Sequence, residues 1–574
     1  MSLRESDANA FLAACPGAGK THEVITRFLY RTTEEGRRGI ALLSFSNCAV
    51  DEAKARCSGQ LEALRSPNFV GTFDGFIHRF ITTPHLNAKG MLPRYVDEWG
   101  QLPDTTIRLG GSDSRLGFEL EWFDFEPDGT CEIDVERPHS GMLPAHRALA
   151  DRKADALCRR ASSRWMGLIR NGIISCSAAR IITTKLLSTD NTKQVVSQRL
   201  AARFAEIIVD EMQDCSADEL EILRLCQEAG IDVMLVADLD QSIYEFRNAA
   251  PGAVRTFADT LTPLPGLMEN RRSTPEISSI NNSLRFNHHV ETARRASLGL
   301  PVFVIVDEEP RQVRSAFLQL LTRNSIHRDD AIVLAHRHVD AERIAGNGGS
   351  TSSTRDRVAS LAVAVGKASD PLALPRDRQR AQTKIRSSLL AFLGLYDPST
   401  SVEQTLFQAG LGERWFARLT ASVKSSVLPH LASGRSIFTQ ELKRVLSAID
   451  WPEGHTVQLS TIRTPASRSW AAVAAMPDSD EDAIRASTVH GVKGREFGGV
   501  LLAMAHSLRS DGDNLTVLDH WEQDRASEAR RVLYVGASRA SDLLALAVPS
   551  SHHKQVTRIL SQDAVAYREI VAND

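Results

Sequence analysis

The stretch ACPGAGKTHEV, Ala14 to Val24, decides the fold class. The residues just before it, Ala10 to Ala14, read as a short buried strand. Pro16, Gly17, Ala18 and Gly19 follow, and then Lys20 and Thr21 open an amphipathic helix through Tyr30. Strand, glycine-rich turn and helix in that order make a phosphate cradle. Glycines let backbone N–H groups curl around phosphate oxygens, and the helix N-terminus adds a favourable dipole. Lys20 would reach the terminal phosphates, and the Thr21 hydroxyl would ligate Mg²⁺. Ala14 stands where the general pattern has its first glycine.

A second stretch completes such a site. In FAEIIVDEMQDCSADE, Phe204 to Glu219, the residues Ile207 to Val209 read as a buried strand with Asp210 and Glu211 at its C-terminal end. Open α/β sheets bind ligands at that end of their strands. Asp210 would hold Mg²⁺ through water, and Glu211 would orient and deprotonate an attacking water.

Composition narrows the class. The 574 residues accommodate roughly three or four domains. A formal net charge of -3 excludes a globally basic surface, so any polyanion site must be a local groove. The longest apolar run, around Val500 to Ala505, is strand-sized and too short for a membrane span. The N-terminus lacks the pattern of a signal peptide. The eight cysteines form no CxxC pair, which argues against a zinc or iron–sulfur site and for a reducing, cytoplasmic setting. The pairs His288–His289 and His552–His553 have no matching carboxylates and read as surface or packing residues.

Four more motifs follow in order: ADLDQSIYEFRNA (Ala237–Ala249), ENRRST (Glu269–Thr274), STVHGVKGREF (Ser487–Phe497) and EARRVLYVGASRA (Glu528–Ala540). Together with the first two stretches they resemble the superfamily 1A DNA helicases of the UvrD/Rep/PcrA type. The resemblance covers the core from Ala13 to about Val548, two long insertions excepted. It implies an α/β fold of two RecA-like P-loop NTPase domains with parallel sheets. Each would carry a largely helical insertion subdomain, one 1B-like with a β-hairpin and one 2B-like. The first RecA-like domain would comprise 1–80 and 198–264, with 81–197 as its insertion. The second would comprise 265–345 and 480–574, with 346–479 as its insertion.

The same resemblance assigns roles. Gln241 would sense the γ-phosphate of ATP, and Gln213 would sit beside it at the nucleotide as a coupling residue. Arg272 and Arg539 would reach across from the second domain. Glu496 would contact the ribose. Phe45, Asn47, Thr72, Phe73, His78, Tyr244, Phe246, Arg247 and His490 would line the single-strand track. Aromatic faces suit that task because every base has a π-face and a translocase must ignore sequence. Two adenine contacts usual in the family are absent or changed. With Lys20 so near Met1 the upstream glutamine would be missing, unless the true start lies further upstream, and Arg271 stands where the family has an aromatic. Base recognition would then be loosened, although an arginine plane can still stack on a base.

Local patterns fill in the insertions. FELEWFDFEPDGTCEIDVE alternates around a Pro-Asp-Gly turn and predicts a hairpin. Pro144 to Thr184 reads as helical and basic. RDRVASLAVAVGKA and PRDRQRAQTKIRSSLLAFLGLY read as helices, after a flexible entry loop at Gly346 to Thr354. DDAIVLAHR, Asp329 to Arg337, reads as a strand of the second sheet. Beyond Ala540 one strand and one closing helix are expected, which leaves no room for a nuclease domain. The expected activity is ATP-dependent 3′ to 5′ translocation and unwinding on single-stranded and forked DNA, in repair or anti-phage defence. The alternative is an NTP-dependent switch that recruits a partner nuclease or another defence or repair protein. No membrane partner is expected.

Overall fold

The computed structural model describes residues 9–571 apart from 35, 97–98, 100–104, 111–112, 114–115, 134–141, 143, 244–249, 287–289, 347–355, 371–374, 396–401, 453, 475–483 and 505–514. The protein is α/β, with two separate six-stranded parallel sheets and many helices.

The first sheet runs in the order Thr262–Pro263, Ala10–Ala13, Asp232–Ala237, Phe204–Val209, Gly39–Ser44, Phe69–Thr72. Every residue of Phe204–Val209 and Gly39–Ser44 is buried, as parallel strands covered by helices on both faces require. Separate apolar clusters lie on its two faces, one around Val24, Phe28 and Ile40, the other around Phe76, Phe204 and Leu223.

The second sheet runs Arg485–Thr488, Ala331–Ala335, Phe497–Ala503, Ala540–Val548, Val302–Val306, Tyr567–Val571. The strand expected at Asp329–Arg337 forms at Ala331–Ala335, behind a 3-10 turn at Arg328–Asp330. The chain after Ala540 holds more than the expected strand and helix. Tyr567–Val571 adds an edge strand in parallel register with Val302–Val306. Its Arg568 and Glu569 break the apolar pattern that a buried strand would show.

The long segment between Phe69–Thr72 and Phe204–Val209 carries the expected hairpin. Phe123–Phe125 pairs antiparallel with Cys131–Ile133. Gly129, at φ +90, supplies the left-handed turn residue. Trp165, on the helix Pro144–Arg170, stacks on Phe125 at 5.0 Å. The region read as helical from Pro144 to Thr184 is interrupted. Its first helix kinks at Lys153, and Ile173–Ser175 forms a short strand parallel to Arg94–Val96. The two helices expected from Arg355 and from Pro375 form at Arg357–Ser369 and Pro375–Phe392, within a helical cluster that also includes Phe416, Phe438 and Trp470. The entry loop expected at Gly346–Thr354 falls, beyond Gly346, outside the described residues.

Candidate functional site

The C-terminal ends of the first sheet's strands open on one cavity of about 920 Å³, which the second sheet's loops close from the other side. The cradle turn is fixed from behind, where Ala14 N donates to Ala237 O and Cys15 N to Leu267 O, both at 2.9 Å. Gly17 (φ +71) and Gly19 (φ +88) adopt backbone that side chains rarely tolerate. The helix Lys20–Glu34 then starts at the cavity wall.

Lys20 Nζ lies 3.9 Å from Glu211 Oε1, and the Thr21 hydroxyl bonds the Asp210 carboxylate. Glu211 is left-handed (φ +60, ψ 39), a conformation that costs a non-glycine residue roughly 1–2 kcal/mol. Its surroundings hold it there: Glu211 N donates to Asp210 Oδ1 at 3.0 Å, and Gln213 Nε2 donates to Glu211 Oε2. Burial and the Glu211 charge push the Asp210 carboxyl up. Glu211 itself feels burial in the same sense, but Lys20, Lys493, Gln213 and Arg539 outweigh it and hold the carboxyl down. The pair is therefore split into one acid that readily accepts positive charge and one that stays ionised.

Two arginines stand across the cavity: Arg539 precedes the second sheet's strand Ala540–Val548, and Arg272 follows Glu269–Asn270, which pairs with Thr292–Ala293 in a separate two-stranded sheet. Arg539, 2% exposed, donates through Nη2 to Gln241 Oε1 at 3.1 Å. Burial first, and then the nearby Arg272 charge, pull its guanidinium down to about 9, so it stays charged at neutral pH. Arg272 Nε donates to Glu496 Oε2 at 2.7 Å, and its Nη1 to Ser538 O at 3.1 Å. Arg271 is exposed on the cavity wall, and its backbone N donates to Gly17 O at 3.1 Å.

The structure thus brings Pro16, Gly17, Gly19, Lys20, Thr21, Asp210, Glu211, Gln241, Arg271, Arg272, Glu496 and Arg539 to one cavity. Ala14 and Ala18 are buried behind the turn. Gln213 is fully buried and does not line the cavity. Its amide is used at both ends, by Glu211 and by Asp238 N at 3.2 Å, which leaves the coupling role and removes direct nucleotide contact.

Two residues of this site carry no assignment from the sequence. Lys493 Nζ donates to Asp214 Oδ1 at 2.7 Å, to Asp214 Oδ2 at 2.6 Å and to Gln241 O at 3.0 Å. Burial pushes the Asp214 carboxyl up to about 6, with Lys493 opposing. Both residues stand inside quoted motifs, but sequence alone does not show that these motifs meet.

The residues expected to line a single-strand track fall into different environments. Phe45 is half-buried on the cavity wall and stacks on Phe73 at 5.9 Å. Asn47 is exposed at the start of the helix Asn47–Arg56. Thr72 caps the next helix, its Oγ1 accepting from Gly75 N at 3.0 Å. Phe73 corrects the expectation. It is 1% exposed, stacks on Phe45 and meets Phe76 edge-on, so the ring is packed as a core residue where it borders the cavity. The His78 ring lies on Tyr95 at 4.0 Å and 13°, so that face is covered too. His490 Nε2 sits 3.0 Å from Ile243 O and joins the two sheets' loops. Tyr244, Phe246 and Arg247 lie outside the described residues.

Among the described residues no His, Cys, Asp and Glu group has the arrangement of a metal cage, and no helix is long and apolar enough to cross a membrane. His553 Nε2 pairs with Glu569 at 2.9 Å on the surface, while His288 and His289 lie outside the described residues.

The profile of the UvrD/REP helicase N-terminal domain matches residues 2–121 and 141–262. Over those residues the chain is similar to UvrD-like helicases. The matched UvrD-like region carries the cradle, the Asp210–Glu211 pair and Gln241. DNA helicase II of Salmonella typhimurium is 26% identical over 332 residues, 54% of this chain and 42% of that protein. DNA helicase II of Escherichia coli is 25% identical over 295 residues, 49% of this chain and 39% of that protein. An ATP-dependent helicase/nuclease protein of Listeria monocytogenes is 33% identical over 135 residues, 23% of this chain and 10% of that protein. The UvrD-like match thus spans about two fifths of the length of the two DNA helicase II relatives.

Proposed function

We propose that the protein is a DNA-stimulated ATPase that moves along single-stranded DNA and separates duplexes in the 3′ to 5′ direction. Two RecA-like domains, 1–80 with 198–264 and 265–345 with 480–574, would enclose the nucleotide. Segments 81–197 and 346–479 would be their insertions. The observation that carries this reading is convergence across the cavity. Lys20, Thr21, Asp210 and Glu211 come from the first sheet, Arg539 from the second, Arg272 from a loop that bonds the second at Ser538 and Ala540, and Arg539 is hydrogen-bonded to Gln241.

The residues present fit ATP with Mg²⁺. Thr21 and Asp210 offer adjacent hard oxygen donors on the cavity wall. Bound there, Mg²⁺ would neutralise phosphate charge. Glu211 stays ionised and can orient a water and take its proton. Lys20 would grip the terminal phosphates. Arg272 and Arg539 would neutralise charge developing on the transferred phosphoryl group. Hydrolysis would then need both sheets in place, which couples chemistry to closure. The DNA would run past Phe45 and Asn47. Glu496 would meet the ribose once Arg272 turns toward phosphate.

A helicase assay on forked DNA tests the reading. Strand displacement is expected on a 3′-tailed fork with ATP, and none with Lys20→Ala. Hydrolysis without displacement would favour a switch that recruits a partner nuclease, a role suggested by the helicase/nuclease name of the Listeria relative. Equal turnover in Lys20→Ala would remove the cradle from the mechanism altogether.

A further inference from the structure

The loop Asp238–Ile243 follows a strand of the first sheet, yet elements of the second sheet hold it. The Tyr534 hydroxyl donates to Asp238 Oδ2 at 2.9 Å, and Arg531 Nε donates to Ser242 O at 2.6 Å. Ile243 is fully buried in the second sheet's apolar core. At the centre is Arg285, just past the helix Pro275–Leu284 and 6% exposed. Its Nε donates to Asp240 Oδ2 at 3.0 Å, its Nη2 donates to Asp238 Oδ1 at 3.3 Å, and its Nη1 lies 3.6 Å from Glu291 Oε2. Asp238 Oδ2 in turn accepts from Gln241 Nε2 at 2.9 Å.

On the far side, Glu291 Oε1 accepts from Asn270 Nδ2 at 2.9 Å and Asn281 Nδ2 at 3.0 Å. Asn270 Oδ1 accepts from Arg272 N at 2.8 Å. A polar path therefore runs from Gln241 through Asp238, Arg285, Glu291 and Asn270 to Arg272, its Arg285–Glu291 step an ion pair at 3.6 Å without a hydrogen bond. The guanidinium spreads its donors over three nitrogens in one plane and so meets three separated carboxylates, whereas an ammonium carries its three donors on one nitrogen. In a buried site such a cluster resists deformation because any unpaired member is costly.

We propose that Arg285 is a positioning residue that locks the Gln241 loop to the Arg272 loop, so that the two groups reach the phosphoryl group only as a pair. This rests on the reading of the cavity as a hydrolysis site. It concerns how that site is regulated rather than what it binds.

The test is steady-state ATP hydrolysis by Arg285→Lys, with and without a single-stranded oligodeoxythymidine, beside the wild type and a thermal melt. The nucleotide grip at Lys20 and Thr21 is untouched, so KM should stay within about twofold. Misplacing two reacting groups should lower kcat by about tenfold or more and bring the ratio of stimulated to unstimulated rate toward one. Wild-type kcat and ratio in the folded variant would overturn the proposal. So would KM and kcat worsening together in step with lost melting temperature, the mark of a merely structural role. If Arg285→Lys does not fold, Asp240→Asn removes one charge at constant volume. Its kcat must fall at unchanged KM, and a wild-type value would overturn the proposal. If wild-type hydrolysis ignores DNA, the motor reading fails by itself, and the kcat-against-KM split still decides Arg285.

Discussion

Gly17→Ala is the sharpest steric perturbation of the cavity. A Cβ at Gly17 would stand 2.6 Å from both Arg272 Cβ and Asn270 Oδ1, and 3.1 Å from Arg272 N. Ordinary contact begins at 3.4 Å, so something must move by about 1 Å. The cradle cannot yield easily, because Ala14 N and Cys15 N tie it to Ala237 and Leu267. Asn270 is anchored by Glu291, and Ser273 Oγ donates to Ala540 O at 2.8 Å. The displacement must therefore appear as separation of the two sheets' loops, which withdraws Arg272 from the cradle. Misplacement by 1 Å costs about 10²-fold in rate, and the left-handed backbone adds roughly 1–2 kcal/mol of destabilisation. Gly19→Ala supplies the comparison. It shares the left-handed backbone (φ +88), but its Cβ meets nothing within 4 Å. Thermal melts of the nucleotide-free variants should show a larger loss for Gly17→Ala, and ATP turnover by that variant should drop about 100-fold. Equal melting losses together with wild-type turnover in Gly17→Ala would refute the steric reasoning.

Other outcomes follow from the same contacts. Lys493→Met strands the buried Asp214 carboxylate and should cost about 3–5 kcal/mol in urea unfolding at pH 8, and much less at pH 5, where Asp214 can take a proton. In the wild type, Asp214 has a folded pKa near 6, above its ordinary value of 3.8. Its stabilising contribution is complete below about pH 4 and is lost as pH rises through 6, by about 3 kcal/mol. Urea midpoints across that window, compared with Asp214→Asn, check the sign. Phe73→Ala should lose about 3–5 kcal/mol of stability by urea unfolding, as a core ring does. Phe45→Ala should instead weaken DNA stimulation of hydrolysis with a smaller loss.

How much could be read in the sequence depended on whether a local rule was at work. The cradle and the Asp210–Glu211 pair were legible because strand, turn and helix lie within a short stretch, and because glycine is required at Gly17 and Gly19 for backbone reasons. The hairpin at Phe123–Ile133 was legible because alternation and turn chemistry agree. Phe73 was not, since a ring in a motif looks the same whether it faces a base or packs on Phe76. Lys493, Asp214 and Arg285 were silent because their partners lie far away in the chain. Lys493 is 279 positions from Asp214, and Arg285 is 45 from Asp240. The edge strand Tyr567–Val571 was hidden because half-exposed edges need no apolar run.

The most direct test is ATP hydrolysis by the purified protein with and without single-stranded DNA, beside Glu211→Gln. Glu211 lines the cavity with its carboxyl held down, and in the proposed mechanism it takes a proton from water, which its amide cannot do. The account predicts strong stimulation by DNA that the variant loses. Hydrolysis indifferent to DNA, or unchanged in Glu211→Gln, would contradict it.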